Sequence, residues 1–305
     1  MSKSNTLVII FGATGVGKTD VSIEIANYFK SEIFSADSRQ IYKELGVGVA
    51  KPSTEQLDSI KHHFISTVSI HEHYSIYQYE HDCINALTEY FTTNNIAVMV
   101  GGSGLYIDAV LNGIDEMPDH DPEIREYVNE LYEKNGIEYL RHELLKHDPE
   151  YYKIVDLKNQ KRLIRALEIF YQTGKPFSQF RKNQAVERNF DTIKIGIDLD
   201  RNILYERINS RVDKMIKNGL VEEAYDTYQY RNLPALKTIG YKELFEFIEK
   251  KRSLEDSIEL LKKNTRNFAR RQLTWFRRYE DAKWFDLSEQ NEISKYIESS
   301  LNFNK

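Results

Sequence analysis

Over the first 112 positions, short apolar runs rich in β-branched residues alternate with longer stretches of helical periodicity, and this predicts strands and helices taking turns. The strand-like runs are Thr6–Phe11, Glu32–Ala36, Phe64–Val68 and Ala97–Val100. Leu7-Val8-Ile9-Ile10-Phe11 has no polar face, as expected of a strand buried on both sides in a parallel sheet. Helices are predicted over 18–30 and 76–94, the second opened by Ser75 with Gln78 as a capping box, and a short one follows Gly102. From about 115 to 190 the pattern is helical only. One helix starts at Asp121-Pro122, another near Gly136, and a third runs from Asn159 to Thr173 and stops at Gly174-Lys175-Pro176. A strand returns at Ile193–Leu199, followed by helices after Asp200, over 241–251 and over 254–279, then a last strand at Lys283–Leu287 and a terminal helix. The expected fold is α/β, a parallel sheet core with an all-helical insertion domain. Its parts are 1–114, 115–190 and 191–305.

Composition narrows the class. At 305 residues with 41% hydrophobic and 29% charged, the chain can build a packed core. The net charge of −5 is uneven: residues 1–115 hold 7 basic and 13 acidic residues, the remainder 35 and 34. A single Cys83 allows no internal disulfide. No apolar run approaches the roughly 18 residues of a membrane span, and no signal sequence is read, so a cytoplasmic protein without a membrane partner is expected.

Gly12-Ala13-Thr14-Gly15-Val16-Gly17-Lys18-Thr19 fits G-x-x-x-x-G-K-[ST], after a strand and before a helix, so the sheet core is expected to be P-loop NTPase-like. Such a loop turns backbone N–H groups onto phosphate oxygens, while Lys18 would meet the phosphate being displaced or transferred and Thr19 would ligate Mg²⁺. The acidic strand end by which ATPases and GTPases hold Mg²⁺ is missing: Ile96–Val100 runs into Gly101-Gly102-Ser103-Gly104-Leu105-Tyr106. The nearest strand-end carboxylate is Asp37, a general base, a metal-shell group or merely a loop cap. Residues 263–278 hold six basic residues, no acid and three aromatics, which reads either as an RNA surface or as a solvated basic face. Lys158, Lys161, Arg162 and Arg165 make a weaker basic cluster. The eight histidines match no common zinc spacing.

Taken together, these motifs resemble the tRNA dimethylallyltransferase (tRNA isopentenyltransferase) family over nearly the whole chain. The likeness rests on Gly12–Thr19, Asp37-Ser38-x-Gln40-Ile41-Tyr42, Ala50-Lys51-Pro52, Gly101–Tyr106, Asn159–Glu168, Arg211-Val-x-x-Met215 with Gly219-Leu220, and Ile239-Gly240-Tyr241-Lys242-Glu243. Val49 stands where Thr is usual, Ser103 replaces a frequent Thr, and Ala13, Gly15 and Val16 depart from the commoner loop. The resemblance implies transfer of a dimethylallyl group from dimethylallyl diphosphate to N6 of the adenosine 3′-adjacent to the anticodon. Gly12, Ala13, Thr14, Gly15, Val16, Gly17, Lys18 and Thr19 would hold the diphosphate with Mg²⁺ on Thr19, and Asp37, Ser103 and Arg211 would be catalytic. The tRNA anticodon stem-loop would meet Asp37, Ser38, Arg39, Gln40, Ser103, Arg125, Gln160, Lys161, Arg162, Leu163, Ile164, Lys237, Arg266, Arg270 and Arg277. A monomer suffices for that chemistry. The alternatives are an isopentenyltransferase acting on free adenine nucleotide, a P-loop nucleotide or metabolite kinase, and a non-catalytic RNA-binding protein.

Overall fold

The structure, a computed structural model, describes residues 5–182 and 186–303. Among these, six strands form one all-parallel sheet: β1 (Thr6–Gly12), β2 (Ile33–Ser35), β3 (His62–His63), β4 (Ile96–Gly101), β5 (Asp191–Asp198) and β6 (Lys283–Asp286), in the order β3-β2-β4-β1-β5-β6. Every residue of β1 is buried, as its unbroken apolar run requires of the central strand. In register, Phe11 lies beside Gly101, Gly12 beside Ile197, and Ser35 beside Val100. The loops that follow β1, β2 and β4 therefore emerge together at the carboxyl edge of the sheet, where ligands of open α/β sheets bind.

The helices are α1 (Lys18–Phe29), α2 (Thr54–Ser59), α3 (Ile76–Tyr90), α4 (Gly104–Asn112), α5 (Pro122–His147), α6 (Pro149–Tyr152), α7 (Gln160–Thr173), α8 (Arg201–Lys217), α9 (Leu220–Thr227), α10 (Tyr241–Ile248), α11 (Leu254–Phe276) and α12 (Gln290–Phe303). Their ends follow from capping chemistry. Asp121, Asn159, Asp200 and Ser253 each accept a backbone N–H of the first turn, and Gly174 closes α7 in the left-handed region. Gly136, at φ +76°, interrupts α5 where a second helix was expected to begin.

Two local expectations fail, and two short helices escape the pattern. Phe64–Val68 is no strand, because Phe64 (φ +65°) and Ser66 (φ +54°) leave the extended region; β3 precedes it, and Val68 keeps only an isolated bridge to Tyr42. Ser75 caps Gln78 N in one direction only; the reciprocal capping box belongs instead to Ser53 and Gln56 on α2, a helix the pattern did not predict. The short α6 also escaped the periodicity.

The chain divides into two units, Met1–Leu111 with Glu187–Lys305, and Asn112–Val186. The first contains the sheet, with apolar clusters on its two faces around Val8, Ile10, Ile25 and Ile195, and around Leu7, Ile9, Phe34 and Met99. The second is all-helical among its described residues and has its own core of Val128, Leu140, Leu144, Leu163, Ile164 and Leu167. No described helix is long and apolar enough to cross a membrane.

Candidate active site

The loop after β1 turns at Gly12, Gly15 and Gly17, all at positive φ. A Cβ on Gly12 would stand 2.5 Å from the Ile197 carbonyl oxygen, so the first glycine is fixed by close approach of β5. Ala13 and Val16 are buried, and their side chains pack into the apolar cluster on one face of the sheet. Lys18 Nζ folds back to donate to the Gly12 (3.0 Å) and Ala13 (2.7 Å) carbonyls. Burial pushes its pKa down to about 7, Arg211 adds to the depression, and Asp37 partly opposes it.

After β2, Asp37 Oδ1 accepts from Arg39 N (2.8 Å) and Gln40 N (3.3 Å), and Oδ2 makes no hydrogen bond among the described residues. After β4, Ser103 Oγ accepts from Ser38 N (3.0 Å) and donates to Ser38 Oγ (3.2 Å), tying the two strand-end loops together. The glycines beside Ser103 are steric necessities. A Cβ on Gly101 would lie 2.2 Å from the Ala36 carbonyl oxygen, one on Gly102 2.3 Å from Gln272 Nε2, and one on Gly104 2.2 Å from the Trp275 ring. From α8, Arg211 Nη1 donates to Thr14 Oγ1 (3.4 Å); its pKa is lowered by burial and raised by Asp37.

These groups border two chambers, both built from residues of the first unit. One, about 570 Å³, is lined by Thr14, Lys18, Thr19, Asp37 and Arg211 among others. The second, about 530 Å³ and more apolar, is lined by Ser103, Leu105, Tyr106, Ile239 and Trp275. Thr14, Asp37, Gly102, Arg211, Phe268 and Gln272 border both. Gln272 is the residue sequence reasoning missed. Buried on α11, it accepts from Thr14 N (2.8 Å) and donates to the Gly102 carbonyl (2.8 Å), joining the phosphate-loop motif to the Gly101–Tyr106 motif. Its one signal was a neutral amide inside a basic stretch.

Other expected contacts divide. Arg39 donates to the Pro234 and Ala235 carbonyls (3.1 and 3.3 Å), and Gln40 to those of Val49 and Ala50 (3.3 and 3.0 Å), so both brace loops. Leu163 and Ile164 require correction. Both are buried core positions of the helical unit, because α7 turns its apolar stripe inward, and neither offers a surface to RNA. Lys161 and Arg162 are exposed, and Gln160 is half-buried. Arg125 is exposed but engaged: its Nη1 is 2.8 Å from His120 Nδ1, which also meets the buried Glu168 at 2.5 Å. On α11, Arg266 donates to Asn209 Oδ1 (2.6 Å), whereas Arg270 is exposed with no side-chain partner among the described residues. Arg277 pairs with Asp198 and lies 4.1 Å over Trp284; Lys237 is exposed.

A phosphate-cradling loop at a parallel sheet's carboxyl edge, joined through a carboxylate and an arginine to a more apolar chamber, defines a P-loop protein arranged for two adjoining substrates. Comparison with known proteins gives the particular family. A sequence model of the IPP transferase family matches residues 40–279, and the chain belongs to that family. It is 51% identical over 300 residues to the tRNA dimethylallyltransferase of Christiangramia forsetii, covering 98% of this chain and 99% of that one. It is 47% identical to the tRNA dimethylallyltransferase of Flavobacterium johnsoniae, covering 97% and 98%. Among solved structures it matches the full-length tRNA isopentenylpyrophosphate transferase of Bacillus halodurans at 33% identity and TM-score 0.72, covering 98% and 97%. A eukaryotic dimethylallyltransferase acting on tRNA matches at 27% identity and TM-score 0.80, covering 98% of this chain and 79% of that one.

Proposed function

We propose that this chain is a prenyltransferase that moves a dimethylallyl group from dimethylallyl diphosphate to N6 of the adenosine 3′-adjacent to the anticodon in tRNA, releasing diphosphate. The observation that carries the reading is the meeting of the two chambers at Asp37, with the phosphate loop and Arg211 bordering one and Ser103 the other. The diphosphate lies on the loop amides and the N-terminus of α1. Lys18 leaves its two carbonyls for the anion, and Arg211 faces the same oxygens.

The exocyclic amine is a weak nucleophile because its lone pair is delocalised into the ring. N6 attacks C1 of the prenyl group. The N6–C1 bond forms, the C1–O bond breaks with its electron pair going to diphosphate, and the proton from N6 passes to Asp37. Asp37 Oδ1 is occupied by two backbone amides, which orients Oδ2 as the base. Charge grows on the leaving group as C1–O lengthens, and Lys18, once it has turned from the Gly12 and Ala13 carbonyls, neutralises it together with Arg211 and the loop amides that have no partner among the described residues. Ser103, anchored to Ser38, orients the amine.

A divalent cation suits the first chamber. Thr19 Oγ makes no hydrogen bond among the described residues, Asp20 and Glu206 line the same chamber, and no described cluster of three His, Cys, Asp or Glu could cage a metal by itself. That donor set fits Mg²⁺, which keeps waters and takes substrate phosphate oxygens. Bound at Thr19, it would supply charge neutralisation for the departing diphosphate. RNA contact falls to the exposed cations, Arg270, Arg271 and Lys237 on the first unit and Lys161 and Arg162 on the second. The target base must leave its stack to enter the second chamber.

The test mixes protein, Mg²⁺, labelled dimethylallyl diphosphate and unmodified tRNA without ATP. Label enters the RNA, and EDTA abolishes it. Label on free AMP instead would move the activity to the free nucleotide, and transfer of an ATP phosphate would make the protein a kinase.

A further inference from the structure

The loop between β2 and α2 walls both chambers: Gly48 and Val49 line the second, Ala50 and Pro52 the first. Its backbone is unusual, with Ala50 at φ +46°, and it is held from a distance. Three successive amides, Gly46 N (2.9 Å), Val47 N (2.8 Å) and Gly48 N (2.8 Å), converge on the carboxylate of Glu223, on α9. Tyr241 OH donates a fourth hydrogen bond to the same carboxylate at 2.6 Å, and a Cβ on Gly48 would stand 2.7 Å from the Tyr241 ring. Successive inward N–H groups form an anion-binding concavity, and here the anion is the protein's own side chain. Opposite this loop in sequence, Gly240, another residue of the second chamber's wall, donates to Glu243 at 2.7 Å, and Glu243 is tied to Asn264 of α11.

We propose that Glu223 is a positioning residue for the acceptor nucleoside: it fixes the Gly46–Gly48 segment, and with it the Gly48–Val49 wall of the second chamber, so that the base is presented to Asp37 at the junction of the chambers. A carboxylate is required because it alone offers enough lone pairs for four donors. Glutamine has one acceptor oxygen, and its amide N–H groups would face the loop amides. Released, the loop shifts the acceptor wall while the phosphate loop, which Glu223 does not touch, keeps its shape. This rests on reading the second chamber as the RNA side.

Glu223→Gln is the direct test. Steady-state transfer to tRNA should show KM for tRNA raised about tenfold with a smaller fall in kcat, a combined loss in kcat/KM of up to about 10²-fold, the scale of a wall misplaced by about 1 Å. Binding of inorganic pyrophosphate with Mg²⁺, measured by calorimetry, should stay within about twofold of wild type. A second variant, Gly48→Ala, moves the same wall through the Tyr241 contact and should give the same split if Glu223→Gln does not fold. An unchanged KM for tRNA in whichever variant folds, or equal losses of pyrophosphate binding and tRNA KM, would overturn the proposal. Wild-type protein run alongside separates the two ideas: if it transfers nothing to tRNA, the function assigned to the chain fails first.

Discussion

Lys18 offers a prediction in which stability and function pull apart. Its pKa lies near 7 where an ordinary lysine has 10.5, chiefly because it is buried, and secondly because Arg211 is near. That difference corresponds to about 5 kcal/mol favouring the neutral amine. Between pH 7 and 10.5 the unfolded chain binds a proton at this position and the folded chain does not. Wild-type stability therefore rises with pH through that window by about 1.4 kcal/mol per unit from this group; the cost is complete below pH 7 and gone above 10.5. Lys18→Met has no proton to bind and lacks this slope. It also leaves the Gly12 and Ala13 carbonyls without their donor, an offset of about 2–4 kcal/mol that does not vary with pH. Urea unfolding followed by circular dichroism from pH 6.5 to 9.5 should find the variant gaining least against wild type at the alkaline end, the difference closing by about 3 kcal/mol between pH 7 and 9.5. Other titrations cancel in the comparison. Parallel stability curves would refute the buried, depressed lysine. The same variant should lose its hold on pyrophosphate, so a group whose charge costs the fold stability is one the ligand needs charged.

Asp37→Asn keeps an oxygen to cap Arg39 N and Gln40 N but cannot take a proton, so labelled transfer to tRNA should fall by about 10²–10⁴-fold with pyrophosphate binding retained. Gln272→Leu leaves Thr14 N and the Gly102 carbonyl unpaired, and thermal denaturation should show a loss of about 2–5 kcal/mol. Arg270→Ala should lower the slope of log binding constant against log salt for tRNA by about 0.9, measured by filter binding. Arg277→Ala should change that slope far less, because Asp198 already neutralises the guanidinium.

Much of the site is legible in the chain because its parts are local. The phosphate loop is eight consecutive residues between a buried strand and a helix, and Asp37 stands one residue beyond the strand run Glu32–Ala36. Arg211 and Ser103 came from family resemblance, and the structure brings both to chambers that Asp37 borders. The failures have a common cause. Phe64–Val68 has strand composition but left-handed residues, because its backbone follows the loop it pairs with at Tyr42. Leu163 and Ile164 sit in a basic, motif-rich segment, and only the packing of α7 against its own unit reveals which way its apolar stripe faces.

By itself the sequence determined most of the elements: where the central strands are buried on both faces, where the long helices are capped, and which backbone can cradle a phosphate. Those follow from periodicity, cap chemistry and glycine sterics, all within a few residues. Tertiary structure alone decided the long-range pairings. Gln272 meets Thr14 across 258 positions and Glu223 meets Gly46 across 177, and no local property of either side chain announces its partner. A hydrogen bond's partner is set by where the chain returns, and that is fixed only when the sheet and its helices pack.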